Sequence, residues 1–520
     1  MKVLVVTAKL AEETVKQHLH GCDNVEVVVL DAPVAALLTP KQIARELKGR
    51  RLQGFSIILT PGLMAGDVST VEEAVGLPVR KGPRYAADLP WVIEALDHAM
   101  LSKTVPADDV LKAELQARAA RDLSSIEAEY ARMPMGEGVI RVGKLLLGRG
   151  LPSRVMAEII DVPLLSDEKI RRRARYYINS GADIVDLGMQ AGESRPRDAA
   201  RAVRAVRSIS DCPISIDTLN VAEIEAAVEE GVDLILSVDG GNLADVAKLA
   251  SDVAAVLIPA DHVQGRFPKK PMERVAFLQT LLAKARALGM RHLIADLILD
   301  VPCSPGIVPS LAAYAAFAEM NPTVPLLFGV GNVTELMDAD SVGVNALLAA
   351  ISAELGGGIL LTTENSDKTR GCVRELATAS KMMALARRRG SAPKDLGLSL
   401  LRYHEKKAKE ELYDPRGEDA VKVIETDGTQ GFQMDPKGYF RVQLDRESGQ
   451  LVAAHFRPGE TASADVILKA KRAEALYKAI VDQGLLSTLD HAAYLGLELG
   501  KAELALKTGR SYVQDAPLFE

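Results

Sequence analysis

Hydrophobic positions change their period along the chain. Over the first hundred residues, short apolar runs at Lys2–Thr7, Val25–Leu30 and Phe55–Leu59 alternate with helical patterns such as Lys41–Leu47. That alternation predicts a small α/β layer. The first run leads into Thr7-Ala-Lys-Leu10, not a glycine-rich turn, so no dinucleotide fingerprint is present. Ala107–Ala131 predicts one long polar helix, and Met133-Pro-Met-Gly-Glu-Gly138 breaks it at a domain boundary.

From about Val139 to Arg389 the grammar becomes regular. Short apolar runs recur at Val155–Ile160, Ile184–Leu187, Ile214–Ile216, Leu234–Ser237, Ala254–Ile258, Leu293–Ala295, Pro325–Phe328 and Ile359–Leu361, each followed by a helical segment. Eight βα units in about 250 residues predict a TIM barrel, and continuous apolar strands suit a parallel sheet buried on both faces. Asn220, three residues before Glu223, predicts a helix start. A charged segment, Arg402–Glu411, predicts a helical bridge. Beyond it Tyr439–Leu444 and Leu451–Phe456 predict a hairpin around Arg446–Gly449, and helices are predicted near Asp465–Gln483 and Leu489–Thr508. The expected fold is therefore α/β: a small flavodoxin- or Rossmann-like domain over residues 1–134, a central (β/α)8 barrel over 139–390, and an α+β domain over 410–520.

Composition narrows the function. The chain has 520 residues, 48% of them hydrophobic, and a net charge of −7, which argues against general nucleic-acid binding. No run approaches the roughly 18 apolar residues of a membrane span, and the N-terminus does not read as a signal peptide. Cys22, Cys212, Cys303 and Cys372 lie far apart, which argues against disulfides or structural zinc and predicts a reduced cytoplasm. Scattered histidines form no metal-binding pair.

Barrel enzymes carry their chemistry at the C-terminal ends of the strands. Those positions hold Asp161, Asp186, Asp217, Asp239, Asp261, Asp296 and Glu364. Asp186 and Asp217 directly follow apolar residues and should be partly buried. Buried carboxylates need a metal ion, basic residues, or a ligand that presents N–H groups. The loops supply opposite charge: His262, Arg266, Lys269 and Lys270 after the fifth strand, and Ser366-Asp-Lys368-Thr-Arg370-Gly371 opening a helix after the eighth. A helix N-terminus with Lys and Arg is a candidate phosphate seat.

These residues carry a resemblance. Gly181-Ala-Asp-Ile-Val-Asp186-Leu-Gly188, followed by Gly192-Glu193-Ser-Arg195-Pro196, resembles the GADIIDVGGESTRPG segment of the pterin-binding family that includes dihydropteroate synthase. Pro213-Ile-Ser-Ile-Asp217 resembles its third-strand signature, Ala295-Asp296 its sixth-strand aspartate, and His262-Val-Gln-Gly265-Arg266 its HMxGxP loop. Ile159-Ile-Asp161-Val162 is similar to the first-strand ILNV, with Asp161 where the family has a magnesium-linked Asn. Three positions depart: Ser237 replaces the strand-four Asn, Gly329–Glu335 with Asn332 replaces SRKS, and Thr362–Ser366 replaces RxHD.

The resemblance implies a transferase that binds a pterin through Asp217, Ser237, Asp239 and Asp296. Glu193, Arg195, His262, Arg266, Asn332 and Glu335 are expected as further substrate contacts, and Asp161, Asp186, Lys368 and Arg370 as catalytic residues. Mg2+ is expected at Asp161. The whole layout resembles the dihydropteroate synthase-related proteins of methanogens and of methylotrophs that use tetrahydromethanopterin. This implies a phosphorylated arylamine, a ribofuranosyl-aniline phosphate, as second substrate, and a homodimer is expected. Two alternatives stand beside it. One is a methyl-tetrahydropterin methyltransferase, since Gly331-Asn332-Val333 is similar to a segment of corrinoid-dependent relatives. The other is a non-catalytic pterin-binding protein.

Overall fold

The computed structural model describes residues 1–134, 138–250, 252–406, 410, 413, 422–426, 434–446 and 448–519, in two compact units, Met1–Lys409 and Glu410–Glu520. The first unit opens with β1 (Val3–Ala8), β2 (Val25–Leu30), β3 (Ile57–Thr60) and β4 (Val79–Lys81). They form a parallel sheet in the order β2-β1-β3-β4. β4 has three residues, too few to register as a run in the sequence.

The helix Ala107–Tyr130 follows. It is tied to the barrel by ion pairs Arg389–Asp122 and Arg388–Glu129, both 2.6 Å, and by Arg154–Glu127 at 2.7 Å. The boundary expected at Met133–Gly138 falls partly on residues 135–137, outside the described ones.

Next comes an antiparallel hairpin, β5 (Val139–Val142) and β6 (Leu145–Gly148), which the sequence reading merged into the barrel. Its Ile140, Val142 and Leu147 share one core with Met156, Ile184, Leu234, Val256, Ile294, Leu327 and Ile359, which makes it the plug of the barrel interior.

The barrel itself is β7 (Arg154–Ile159), β8 (Ile184–Gly188), β9 (Ile214–Asp217), β10 (Leu234–Val238), β11 (Ala254–Leu257), β12 (Leu293–Ala295), β13 (Leu326–Gly329) and β14 (Gly357–Thr363). β14 pairs in parallel with β7 and closes it. Residues of the other parity, such as Val155, Ala157, Val185 and Leu187, pack under the surrounding helices. This two-sided burial is why the strands read as continuous apolar runs. Asn220 caps the helix Val221–Glu229 by accepting the N–H groups of Ala222 and Glu223. Arg402–Lys406 adopts bends, not the expected helix; residues 407–409 and 411 lie outside the described ones.

The second unit has β15 (Tyr439–Asp445), β16 (Gln450–Phe456) and β17 (Val466–Ala470), antiparallel in that order. Helices Ala473–Asp482 and Leu489–Thr508 pack Leu476, Ile480, Leu495 and Leu499 on the sheet. β17 occupies the front of the segment expected to be helical from Asp465. Its alternating half-buried and exposed side chains are those of an edge strand.

Candidate functional site

Period-two alternation sorts the inward-facing side chains into an apolar level and an acidic level above it. Met156 is followed inward by Glu158, Ile184 by Asp186 and Ile294 by Asp296, while on β9 the buried, polar Ser215 precedes Asp217. Register brings Glu158 of β7 beside Asp186 of β8, and Asp217 beside Gly188. One carboxylate oxygen each from Glu158, Asp186 and Asp217 falls within 4.8 Å of the other two. Gly188 makes room, since a Cβ there would lie 2.5 Å from Glu158 Oε1.

Asp186 is fully buried; the Ser215 hydroxyl donates to its Oδ1, and Oδ2 has no partner among the described residues. Ser237 donates to Asp217 at 3.3 Å. Asp296 accepts the Ile298 N–H at 2.7 Å and the Tyr314 hydroxyl at 2.5 Å. Tyr314 stacks on Phe328 with ring centroids 4.1 Å apart.

Burial dominates the proton affinities here. It pushes Glu158 up to about 7, with the charges of Asp217 and Asp161 adding to the effect. It raises Asp217 and Asp296 to about 6 and drives Asp186 well above the usual carboxylate range. Among the described residues no Lys or Arg forms an ion pair with any of the four. The sequence reading missed Glu158. Its signal was a charge within the apolar run Val155–Ile160, two residues from Met156.

Other expected residues occupy the rim and hold its loops. Asp239 is fully buried, and its oxygens accept the N–H groups of Gly241, Asn242 and His262 and meet His262 Nδ1 at 2.9 Å. It therefore positions His262. Arg266 lies exposed, its guanidinium 5.0 Å from the centre of the Phe277 ring. Glu193 and Arg195 pair with each other at 2.6 Å in an exposed loop. Asn332 donates to the Leu299 carbonyl at 3.0 Å. Glu335 is spent on the β14 loop, where it accepts from Asn365 N–H, Ser366 and Thr369, which holds its carboxyl below the usual range after burial is offset.

Asp161 stands exposed with φ +52° at the head of a turn. Lys368 pairs with Asp338 at 2.8 Å and Arg370 with Asp367. The helix Cys372–Arg389, expected to seat phosphate, has its Val373 N–H already bound to the Glu364 carboxylate at 3.1 Å. Thus Asp186, Asp217, Ser237 and Asp296 come together with Glu158, while Lys368 and Arg370 are drawn into pairs of their own. No helix among the described residues is long and apolar enough to cross a membrane.

Known proteins match all three parts of the chain. The pterin binding enzyme family matches residues 160–345, a family of unknown function residues 1–84, and the PterinBD-DUF4346 family residues 434–515. The uncharacterized protein MJ0107 of Methanocaldococcus jannaschii is 37% identical over 531 residues, covering 100% of this chain and 99% of its own. A Ycf91-like protein of Nostoc is 31% identical over 106 residues, 16% of this chain and 84% of its own. Among solved structures, a Yersinia pestis dihydropteroate synthase with a pterine-sulfa conjugate is 19% identical, covering 48% of this chain and 99% of its own, TM-score 0.38. The Xanthomonas albilineans dihydropteroate synthase with 7,8-dihydropteroate is 20% identical, covering 47% of this chain and 96% of its own, TM-score 0.37.

Proposed function

Since this chain belongs to the pterin-binding enzyme family, we propose that its barrel mouth holds a reduced pterin and transfers the pterin's methylene carbon to an arylamine. The observation that carries this reading is the inward acidic level with no paired cation among the described residues. A pterin ring presents adjacent N–H donors, which Asp217 and Asp296 accept with their remaining lone pairs. Tyr314 fixes Asp296 from behind, and Ser237 fixes Asp217.

The substrates are a dihydropterin-6-ylmethyl diphosphate and a ribofuranosyl-aniline phosphate. The amine nitrogen attacks the methylene carbon, the C–O bond to diphosphate breaks, and the amine proton passes to water. No strong base is required, because an arylamine is neutral at pH 7. Holding both partners in one mouth supplies much of the rate. A role in tetrahydromethanopterin biosynthesis is supported by the full-length relative from a methanogen.

Mg2+ fits at Asp161, an exposed hard-oxygen donor with no side-chain partner among the described residues. Bound there, it would neutralise charge on the leaving diphosphate.

One observation favours a second reading, pterin binding without transfer: the cations expected to hold phosphate are engaged by Asp338 and Asp367, and Glu364 already occupies the helix N-terminus. One assay separates the two. The protein is incubated with dihydropterin-6-ylmethyl diphosphate, Mg2+ and a panel of arylamines. Diphosphate release dependent on the amine is the expected result; tight pterin binding with no release establishes the second reading. Asp217→Asn turns an acceptor into a donor against the ring, and one charged hydrogen bond is worth about 1.5–3 kcal/mol. Calorimetry should find pterin affinity lowered at least roughly tenfold, and unchanged affinity would remove Asp217 from the pocket.

A further inference from the structure

Glu158, Asp186 and Asp217 project from three consecutive strands into one small volume. A second observation points to an occupant. Asp186 is fully buried, with Oδ1 held by Ser215, yet Oδ2 has no partner among the described residues. The backbone is also bare of a side chain at Gly188, where the Glu158 carboxylate lies.

Three like charges in a buried volume are costly unless protons or a cation compensate them. All donors are carboxylate oxygens, with no nitrogen or sulfur, a set that selects hard divalent ions. Metal–oxygen bonds of about 2.0–2.6 Å place two ligand oxygens at most about 4–5 Å apart. The three oxygens lie within 4.8 Å of one another, so small side-chain rotations bring them onto one ion.

We propose that Glu158, Asp186 and Asp217 form a divalent-cation site inside the barrel mouth, distinct from the exposed Asp161. It shares Asp217 with the pterin pocket but does not rest on it: the site exists in the absence of pterin. A cation there would leave Asp217 one oxygen for the ring and would convert a repulsive trio into a fixed wall.

The test uses full-length protein, stripped by chelation and titrated with Mn2+ alone, the free ion being followed by its paramagnetic resonance signal. Wild type and Asp161→Asn are titrated side by side, so that the exposed Asp161 position is not counted; one Mn2+ per chain, displaced by Mg2+ or Ca2+, is expected in the variant. On that Asp161→Asn background, Glu158→Gln should weaken the remaining Mn2+ binding at least tenfold, since a charged ligand is lost. Thermal unfolding supplies a readout that a merely structural glutamate would not give. Metal-free Glu158→Gln should melt above the metal-free wild type, because a like charge is gone, and should no longer respond to Mn2+. If that variant does not fold, Asp186→Asn is measured in the same way.

Wild-type protein that binds no Mn2+ at millimolar concentration overturns the site and leaves protons as the compensating charge. So does Mn2+ binding that survives Glu158→Gln and is lost with Asp161→Asn. Pterin affinity, measured by calorimetry on the metal-free protein, fails or holds independently.

Discussion

Gly188 shows how one absent side chain shapes the site. Its backbone is in an ordinary strand conformation, so Gly188→Ala clashes with the movable end of Glu158 and meets the Ile159 carbonyl oxygen at an ordinary 3.4 Å. The variant should keep its melting temperature within a few degrees, a change of order 1 kcal/mol, yet lose Mn2+ affinity as Glu158 swings away. A large melting loss with unchanged Mn2+ binding would contradict this.

Arg370 is the opposite case, an exposed side chain that among the described residues pairs with Asp367. Arg370→Ala should change stability by less than about 1 kcal/mol. If the residue leaves Asp367 to hold substrate phosphate, the change should raise KM for a phosphorylated arylamine roughly 10–150-fold more than for para-aminobenzoate. Equal effects on both amines would rule out that contact. Legibility divides along the same line. Asp217 and Asp296 were readable because each ends an apolar run. Glu158 was not, because it lies inside one, and only the barrel's inward parity gives it a partner. The partner of Lys368 was invisible because Asp338 approaches from another loop, whereas that of Arg370, Asp367, stands three residues away in the same loop.

Elements were legible where burial imposes a single period. The eight barrel strands are buried on both faces, so each stands out as a largely apolar run. The β5–β6 hairpin has equally apolar residues but belongs to no βα unit, and its role as a plug follows only from the barrel floor it fills. β17 carries Val466-Ile-Leu, a run too short to separate strand from helix by periodicity, and its pairing with β16 decides the matter. The plug has a measurable consequence. Leu147 is fully buried in the core it shares with barrel residues. Leu147→Ala should cost about 2–5 kcal/mol through lost burial and cavity formation. Denaturant unfolding should register that loss while pterin affinity stays within about twofold, because the acidic level lies above the plug. A variant that unfolds normally but loses pterin would mean that the two levels are mechanically coupled.

The buried acids leave a signature in the whole molecule's stability. Glu158 is held near 7 and Asp217 and Asp296 near 6, against about 4 in an unfolded chain. Between those values the folded state retains protons that the unfolded state releases. Their contribution is thus full below about pH 4 and is lost as the pH rises through 6 to 7, each tenfold difference in proton affinity being worth about 1.4 kcal/mol. Metal-free protein should therefore melt lower at pH 8 than at pH 5.5, and Asp217→Asn should flatten that slope. A wild type and variant with the same slope would show that the acids are compensated in some other way.

Glu335 ties two rim loops together. It sits after β13, yet it accepts from Asn365, Ser366 and Thr369 beyond β14. The two departures from the family pattern, after the seventh and eighth strands, are thus one joined structure. For anyone redesigning the amine side of this barrel, neither loop is an interchangeable cassette: a transplant of one alone strands the acceptor or the donors of the other, and only the pair can be exchanged.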